Sequence, residues 1–382
     1  MRGGELGSRA ELPPPILSAV CTRCGTPYPE TGLPDLCPAC GGFWGYPEGL
    51  PWSPPAEGSG FRRWAGALGL EPEELPEREL GDLERGGPRS LDGVVVVQEG
   101  SRPKGTFKER GAEALAAICA RRGLSEVFLD SSGNAGLAVA AACAARGIAC
   151  RVLVPGSTPE EKLARLRAVG ARVEVIPGDR QAAAEAARAL RGRLPYASHV
   201  YQPFFLAGVA TLAWELAESL AGGPLAPGGR WEAAGPPSPA GGAIERVLLP
   251  SGNGSLLLGL ALGLDVLVAA GRLARLPALH AVQLAGYASL APEGPGERAP
   301  GPPVASGIAV AEPPRRAEMT AVVEPTGGDV TIVTEEEIAG ARRELAVRGF
   351  ATDPTGAAAW AGLQKRPDLR RAGTVVILTS RA

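Results

Sequence analysis

The sequence predicts an α/β protein built on a parallel sheet that carries helices on its faces. From Val94 onward, short apolar runs of strand length alternate with segments of helical spacing, which is the pattern of a parallel sheet. Glycine-containing turns join three of these strands to the helices that follow them. With 382 residues and 45% hydrophobic content, the chain is long enough for two domains and an appended segment.

The alternation can be followed strand by strand. The predicted strands cover 94–97, 127–129, 150–154, 173–176, 247–249, 279–284, 331–333 and 374–378. The predicted helices cover 112–122, 135–146, 158–169, 181–194, 206–220, 255–273, 335–348 and 355–364. The Gly/Pro-rich interval 222–242 is predicted to be a long surface loop. Residues 43–88, rich in Pro, Gly, Trp and Glu with one helical candidate at 61–68, are predicted to pack over the surface as a connection.

The charge and the apolar runs exclude several classes of partner. A formal net charge of −2 provides no basic field for nucleic acid or an anionic membrane. The first twenty residues lack the apolar run of a secretory signal. The longest apolar stretch, 256–270, is interrupted by Asp265 and is too short to span a bilayer. We therefore expect a cytoplasmic protein that acts on a small molecule, without nucleic acid or membrane partners.

Two CxxC motifs near the N-terminus suggest a metal site. Cys21 and Cys24 form the first motif, Cys37 and Cys40 form the second, and each motif is followed by glycine. Four thiolates at this spacing can surround zinc tetrahedrally. A redox pair or a disulfide framework is the alternative, but two motifs so close together favour a structural zinc ribbon. The other cysteines, in Ala-rich or apolar surroundings, are predicted to be small buried hydrophobic residues: Cys119, Cys143 and Cys150.

Lys108 is the first candidate for covalent chemistry. The chain uses arginine for almost all its cations and contains only four lysines, at positions 104, 108, 162 and 365. An amine can lose its proton and attack a carbonyl, whereas a guanidinium cannot. Lys108 lies where the run after Val94 leads into a helix. A solvated lysine at a helix start is the alternative interpretation, and the neighbouring motifs argue against it.

Two further turns follow apolar strands and open helices. They are Ser131-Ser132-Gly133-Asn134-Ala135-Gly136 and Ser251-Gly252-Asn253-Gly254-Ser255. Ligands bind at the carboxyl ends of strands in open α/β sheets, and a glycine turn at a helix N-terminus offers backbone N–H groups to an anion. Neither turn matches the nucleotide P-loop or the GxGxxG dinucleotide motif. His199 and His280 have no paired motif, and the sequence assigns them no role.

Taken together, these motifs resemble a known enzyme family. Lys108 in GTFKERG, Asn134 in SSGNAG, the SGNGS turn and Thr379 after the last strand resemble the fold-type II pyridoxal-phosphate enzymes, and threonine synthases in particular. The resemblance implies two three-layer αβα domains, the larger formed by 94–126 and 207–382 and the smaller by 127–206. A zinc-ribbon-like segment, 1–47, and a connecting segment, 48–93, would precede them. It also implies a homodimer.

The resemblance also implies residue roles. Lys108 would hold pyridoxal 5′-phosphate as a Schiff base and move protons at the substrate. Asn134 would hydrogen-bond the 3′-oxygen of the cofactor, and Thr379 would face its pyridine nitrogen. The 5′-phosphate would be cradled by Gly252, Asn253, Gly254 and Ser255. The substrate would be bound by Ser131, Ser132, Gly133 and Ala135, together with Arg102 and Lys104.

The sequence also departs from the family pattern. Arg102-Pro103-Lys104 replaces the usual Asn-Pro-Thr, and Thr379-Ser380-Arg381-Ala382 replaces the family's final Thr-Gly-His-Gly-Leu-Lys. Two cations beside a reactive lysine suit a substrate phosphate. We expect a lyase that converts O-phosphohomoserine and water to threonine and phosphate. The alternatives are β-elimination or β-replacement on a serine-, threonine- or phosphoserine-like substrate, as in dehydratases and cysteate synthases, or a non-catalytic paralogue that docks a partner.

Overall fold

The computed structural model describes residues 15–56, 60–77, 88–100, 105–221 and 244–382. Arg102, Lys104 and the predicted loop 222–242 lie outside the described residues. The strands are β1 (Val20–Cys21), β2 (Trp44–Gly45), β3 (Arg89–Leu91), β4 (Val94–Gln98), β5 (Glu126–Leu129), β6 (Ala149–Pro155), β7 (Arg172–Ile176), β8 (Arg246–Pro250), β9 (Ala278–Leu284), β10 (Val330–Val333) and β11 (Thr374–Leu378). The α-helices are α1 (Ala65–Leu68), α2 (Lys108–Arg121), α3 (Asn134–Ala144), α4 (Glu160–Ala168), α5 (Arg180–Leu190), α6 (Pro203–Ala221), α7 (Ser255–Ala269), α8 (Arg316–Val323), α9 (Glu335–Val347) and α10 (Pro354–Lys365).

The predicted parallel α/β architecture is confirmed. The larger sheet has the order β10-β9-β8-β11-β4-β3, and its members from β10 to β4 run parallel. A second sheet, β5-β6-β7, is also parallel. These strands lie inside the range 127–206 that was predicted as the smaller domain, apart from Glu126 at the start of β5. The domain boundaries themselves stay a prediction.

Helices cover both faces of the larger sheet. Successive side chains of a strand point to opposite faces, and β11 shows this clearly. Val375 and Ile377 join a buried cluster that includes residues of α2, α6 and α7. Val376 and Leu378 join a second cluster, formed with residues of α9 and α10. The strands are therefore buried on both sides, which explains why they are continuously apolar instead of alternating.

The described residues between 43 and 88 include the predicted helical segment at 61–68, and they do not lie only on the surface. Phe61 and Trp64 are buried in the main core, and Trp64 Nε1 donates to Glu215 Oε1 at 3.0 Å. Farther along, β3 (Arg89–Leu91) pairs antiparallel with β4 and forms the edge of the larger sheet. Burial of large aromatic side chains is strongly favourable. These side chains therefore pack the segment into the core, although its composition is rich in proline and glycine.

The cysteine-rich segment is part of the same core. Tyr28 packs edge-on against Phe204 of α6, with ring centroids 4.8 Å apart, and its hydroxyl donates to Gln202 Oε1 at 2.9 Å. The buried Arg315 donates to the carbonyl oxygen of Trp44 at 2.9 Å and to that of Val200 at 2.7 Å. The segment is thereby attached to both α6 and the start of α8. Among the described residues, no helix combines the length and apolarity needed to cross a bilayer.

Candidate active site

Three of the predicted motifs meet because their strands are neighbours. In the larger sheet β8, β11 and β4 lie side by side and parallel. Their carboxyl ends therefore share one edge, where α/β proteins bind ligands. Lys108 begins α2 beyond β4, the turn 251–254 leads from β8 into α7, and Thr379 follows β11 directly.

Backbone hydrogen bonds hold Thr379 beside the lysine turn. Phe107 donates its backbone N–H to the carbonyl oxygen of Thr379 at 3.0 Å, and Arg381 donates its own to Gly105 at 2.9 Å. The Arg381 side chain also donates, from Nε, to the carbonyl oxygen of Gly100 at 3.0 Å. The last residues of the chain thus bind both arms of the loop that carries Lys108. This arrangement places the largely buried Thr379 next to the reactive position.

The Lys108 amine is set up to lose its proton. The side chain is half-buried. Its Nζ lies 4.0 Å from the centroid of the Phe107 ring, a contact that by itself favours the charged amine. Burial disfavours the ammonium form and lowers the pKa of Lys108 to about 8, although the carboxylate of Asp353 acts in the opposite direction. About half of the Lys108 amine groups are therefore neutral near pH 8, and the neutral form is the one that attacks a carbonyl.

The SGNGS turn has the features of a phosphate cradle. Gly254 has a φ of +84° and caps α7. A Cβ atom at Gly252 would lie 2.5 Å from the carbonyl oxygen of Gly307, and one at Gly254 would lie 2.6 Å from Met319. Only glycine fits these positions, so the backbone N–H groups stay accessible at the helix N-terminus. The buried Ser251 Oγ has no hydrogen-bond partner among the described residues, as expected if its partner is a ligand.

Asp353 is the site residue that sequence reasoning missed. Asn134 Nδ2 donates to Asp353 Oδ2 at 3.2 Å, and the backbone N–H of Asp353 donates to Ser380 Oγ at 3.1 Å. The other carboxylate oxygen, Oδ1, accepts from the backbone N–H of Gly356 at 2.8 Å and caps α10. Asp353 therefore joins the SSGNAG turn to the end of β11. The Asp-Pro pair signals a helix start, but a capping signal does not reveal a partner 219 residues away.

The first turn of α10 also reaches the phosphate cradle. Gly307 donates its backbone N–H to Thr355 Oγ1 at 3.3 Å, and Gly307 is the residue that crowds Gly252. The segment 353–355 thus contacts all the other parts of the site, directly or through one residue. It is the element that brings turns from two different sheets into one place.

The predicted substrate-binding turn lies at the N-terminus of α3. Ser131, Ser132 and Gly133 are half-buried, and Ala135 is buried. A Cβ atom at Gly136 would lie 1.9 Å from the carbonyl oxygen of Ser131, so glycine is required for the turn to fold back. A carboxylate is favoured at a helix N-terminus, and the substrate roles of these residues remain a prediction.

The four N-terminal cysteines converge on one point. Their Sγ atoms all lie within 4.8 Å of one another; the pair Cys21–Cys40 is 3.4 Å apart and the pair Cys24–Cys37 is 3.7 Å apart. Tetrahedral zinc with Zn–S bonds of about 2.3 Å separates its sulfurs by about 3.8 Å. These four thiols are free rather than joined in disulfides, since an S–S bond is about 2.05 Å long.

The backbone explains how the cysteines are placed. Gly25 donates its N–H to the carbonyl oxygen of Cys21 at 2.9 Å, and Gly41 donates to that of Cys37 at 2.8 Å. These glycines have φ values of +72° and +70°, in the left-handed region that glycine favours. The two CxxC turns therefore have matching geometry, and the donor set fits a structural zinc ion.

Comparison with known families agrees with the residues at this edge of the sheet. The family model of pyridoxal-phosphate dependent enzymes matches residues 80–380. The chain belongs to that family.

The similar proteins catalyse more than one reaction. Threonine synthase of Methanosarcina acetivorans is 28% identical over 75% of this chain and 69% of its own length. Mouse L-serine dehydratase/L-threonine deaminase is 33% identical over 45% of this chain and 47% of its own length. A solved structure of tomato (Solanum lycopersicum) threonine deaminase isoform 2 aligns with 81% of this chain and 84% of its own, at a TM-score of 0.60 and 22% identity. The last likeness shows the fold alone.

Asp353→Asn is expected to lower the pKa of the Lys108 amine further, because it removes a negative charge that favours the ammonium form. Asparagine also caps helices, so α10 should persist. The measurement is the rate at which the apo-protein takes up pyridoxal phosphate as a function of pH, whose midpoint should move to lower pH. Asp353→Glu keeps the charge and is the control. An unchanged midpoint in Asp353→Asn would rule out this coupling.

Proposed function

We propose that the protein is a pyridoxal-phosphate-dependent lyase of the threonine synthase type, which converts O-phosphohomoserine and water to threonine and phosphate. The observation that carries the proposal is a lysine with a lowered pKa and a glycine-built anion cradle at the same edge of the sheet. When bound, pyridoxal phosphate supplies an electron sink for the negative charge that develops at the substrate Cα. The protein supplies positioning, proton transfer and charge.

The chain's residues divide this work. Ser251 Oγ and the N–H groups of the turn 252–255 hold the 5′-phosphate. The Lys108 amine would hold the cofactor and, once the substrate has displaced it, would accept the proton from the substrate Cα and return protons to neighbouring carbons. Asn134, oriented by Asp353, bonds the 3′-oxygen. Thr379 faces the pyridine nitrogen; because a hydroxyl is uncharged, it leaves that nitrogen largely unprotonated.

Two groups of residues are assigned to the substrate. Residues 131–133 and 135, at the N-terminus of α3, receive its carboxylate. Arg102 and Lys104 precede Lys108 by only a few residues, and we assign them to its phosphate group because two cations complement a dianion.

A dehydratase-type β-elimination is the second candidate. The 33% identity to mouse L-serine dehydratase/L-threonine deaminase favours it, although this match covers less than half of the chain. The two reactions differ in their products, since elimination from serine or threonine releases ammonia and a keto acid.

The test compares these products directly. With O-phosphohomoserine, the proposal requires phosphate and threonine in equal amounts; ammonia and a keto acid from serine or threonine would favour the dehydratase. Arg102→Ala and Lys104→Ala should each raise KM for O-phosphohomoserine by about tenfold, as expected for loss of a charge-assisted contact. If neither variant changes KM, the assignment of the two cations is wrong. If no substrate of either class is consumed, the non-catalytic alternative is favoured.

We further propose that Cys21, Cys24, Cys37 and Cys40 hold a structural zinc ion. Its removal by a chelator, or Cys37→Ser, is expected to lower the melting temperature by at least about 5 °C, because metal binding contributes directly to folding free energy. Cys143→Ala, a buried cysteine outside the cluster, is the control and should retain the metal. Absence of stoichiometric zinc from the purified protein would contradict the proposal.

The homodimer remains a proposal that light scattering in solution would test.

A further inference from the structure

A cavity of about 410 Å³ lies at the edge of the larger sheet opposite to Lys108. Its lining includes Arg246 at the start of β8 and His280 near the start of β9. Asp329 just before β10 and Arg371 before β11 complete its contacts with the sheet. These are the amino ends of parallel strands. The cavity is therefore separated from the site at their carboxyl ends by about 15 Å, the length of a five-residue strand.

The cavity has an excess of positive charge. Four arginines line it, at positions 246, 275, 366 and 371, together with the two carboxylates of Glu245 and Asp329. Arg246 is paired with Glu245, and Arg366 is paired with Asp329 and Asp368. The exposed side chains of Arg275 and Arg371 form no ion pair or hydrogen bond with the described residues. Two cations are thus free to receive a ligand.

A buried histidine supplies an independent sign of a missing partner. His280 is 4% exposed, and its Nδ1 lies 2.6 Å from Asp329 Oδ1. Its Nε2 is also buried and has no hydrogen-bond partner among the described residues. Leaving a buried polar atom unpaired costs about 1–3 kcal/mol, and this one belongs to a residue that lines the cavity. The ion pair between Asp329 and Arg366 fixes the carboxylate that orients the ring.

The attraction of cations to helix C-termini does not account for all the cationic and imidazole side chains that line the cavity. The C-terminal ends of helices attract cations, which accounts for Arg366 directly after α10. His280, however, lies on a strand, and Arg275 follows the end of α7 by six residues. The combination of a cavity, two unpaired cations and an unpaired ring nitrogen requires another explanation.

We propose that this cavity binds a small metabolite with at least two negative charges on phosphate or carboxylate groups. Arg275 and Arg371 pair with its anionic oxygens, since guanidinium groups match the geometry of both. Because Nδ1 donates its proton to Asp329, Nε2 of the neutral His280 ring is an acceptor and takes a hydrogen bond from a hydroxyl group of the same ligand. A volume of about 410 Å³ lies within the range of small-molecule sites. The cavity is a second ligand site, distinct from the one at Lys108.

The test is calorimetric titration of the cofactor-loaded protein with pyrophosphate and, separately, with citrate. Inorganic phosphate is not used as a probe, because it is the proposed product of the reaction at Lys108 and could bind there. We expect binding of at least one probe to weaken about tenfold in Arg275→Ala and in Arg371→Ala, and to be undetectable in the double variant. His280→Phe should weaken the binding of citrate, whose hydroxyl group can donate to Nε2. Arg343→Ala, which changes an exposed arginine on α9, is the matched control.

The outcomes separate the ligand classes. Binding of pyrophosphate alone identifies a phosphate ligand, and binding of citrate alone identifies a carboxylate ligand. The cofactor's visible absorption should stay unchanged on titration, which excludes binding at Lys108. The proposal is overturned if neither probe binds, or if binding is the same in the double arginine variant as in the unaltered protein.

Discussion

Lys108→Ala is expected to lower kcat by at least about 10³-fold while leaving the fold intact. A positioned base contributes about 10²–10⁴-fold to proton transfer, and this amine is also the nucleophile that attaches the cofactor in our proposal. Lys108 donates its backbone N–H to Thr106 Oγ1 at 3.2 Å, a contact that alanine keeps. The measurement is steady-state turnover of O-phosphohomoserine, with the melting temperature as the check on folding.

The chain contains a matched control for this substitution. Lys162 is an exposed lysine in α4, and Lys162→Ala removes the same charge from a site without cofactor contacts. Its turnover should equal that of the unaltered protein. Turnover that survives Lys108→Ala would mean that another group is the base and that the lysine turn is not the reactive centre.

Arg110→Leu is expected to lower the free energy of unfolding by about 3–5 kcal/mol, because it leaves two buried carboxylates without their cation. Arg110 Nε and Nη2 donate to Glu99 at 2.6 and 3.1 Å. Its Nη1 and Nη2 donate to Glu215 at 2.8 and 2.6 Å, and both Arg110 and Glu99 are completely buried. Denaturant unfolding measures the loss. Because the ion pair joins the end of β4 to α2 and α6, it also fixes the helix that begins at Lys108.

The loss of unfolding free energy in Arg110→Leu should depend on pH. Burial raises the pKa of Glu99 in spite of Arg110, and removing the arginine raises it further. The folded variant then holds protons that the unfolded chain has released. Its stability should therefore fall as pH rises above the ordinary glutamate pKa of about 4.3, and recover toward acid.

Arg121→Ala is the control for Arg110→Leu. It lies in the same helix and pairs with Glu74 in a partly exposed position, where an ion pair contributes about 0–1 kcal/mol. Equal losses in the two variants, or a loss in Arg110→Leu that does not change with pH, would show that the buried charges are not the cause.

The features that could be predicted from the sequence are those that depend on local patterns of residues. Apolar runs and glycine turns identified the strands and helices of the larger sheet, and strand order alone then brought Lys108, Thr379 and the turn 251–254 to one edge. Boundaries were less accurate. The helix α7 ends at Ala269 rather than at residue 273, and Gly271 follows with a φ of +68°, a conformation that stops a helix.

Contacts between residues far apart in the chain could not be predicted from the sequence. Asp353 meets Asn134 across 219 residues, and Arg110 meets Glu215 across 105. In the sequence, Asp353 appears as a helix cap and Arg110 as one arginine among many. A charged group gives no local sign that it will be buried with a partner, because burial depends on the packing of distant elements. The antiparallel β3 was missed for a different reason, because its signal is local. Asp92 and Gly93 join β3 to β4 as a two-residue turn with φ values of +49° and +82°, and an Asp-Gly pair before an apolar run is a hairpin signal.

Borohydride reduction followed by peptide mapping tests the central claim most directly. The purified protein, incubated with pyridoxal phosphate, should show a visible absorption band that reduction removes. Mapping should then place the cofactor's mass on the peptide that contains Lys108, and Lys108→Ala should show neither the band nor the label. A protein that stays colourless, or a label found only on Lys162 or Lys365, would contradict the assignment of Lys108 as the residue that holds the cofactor.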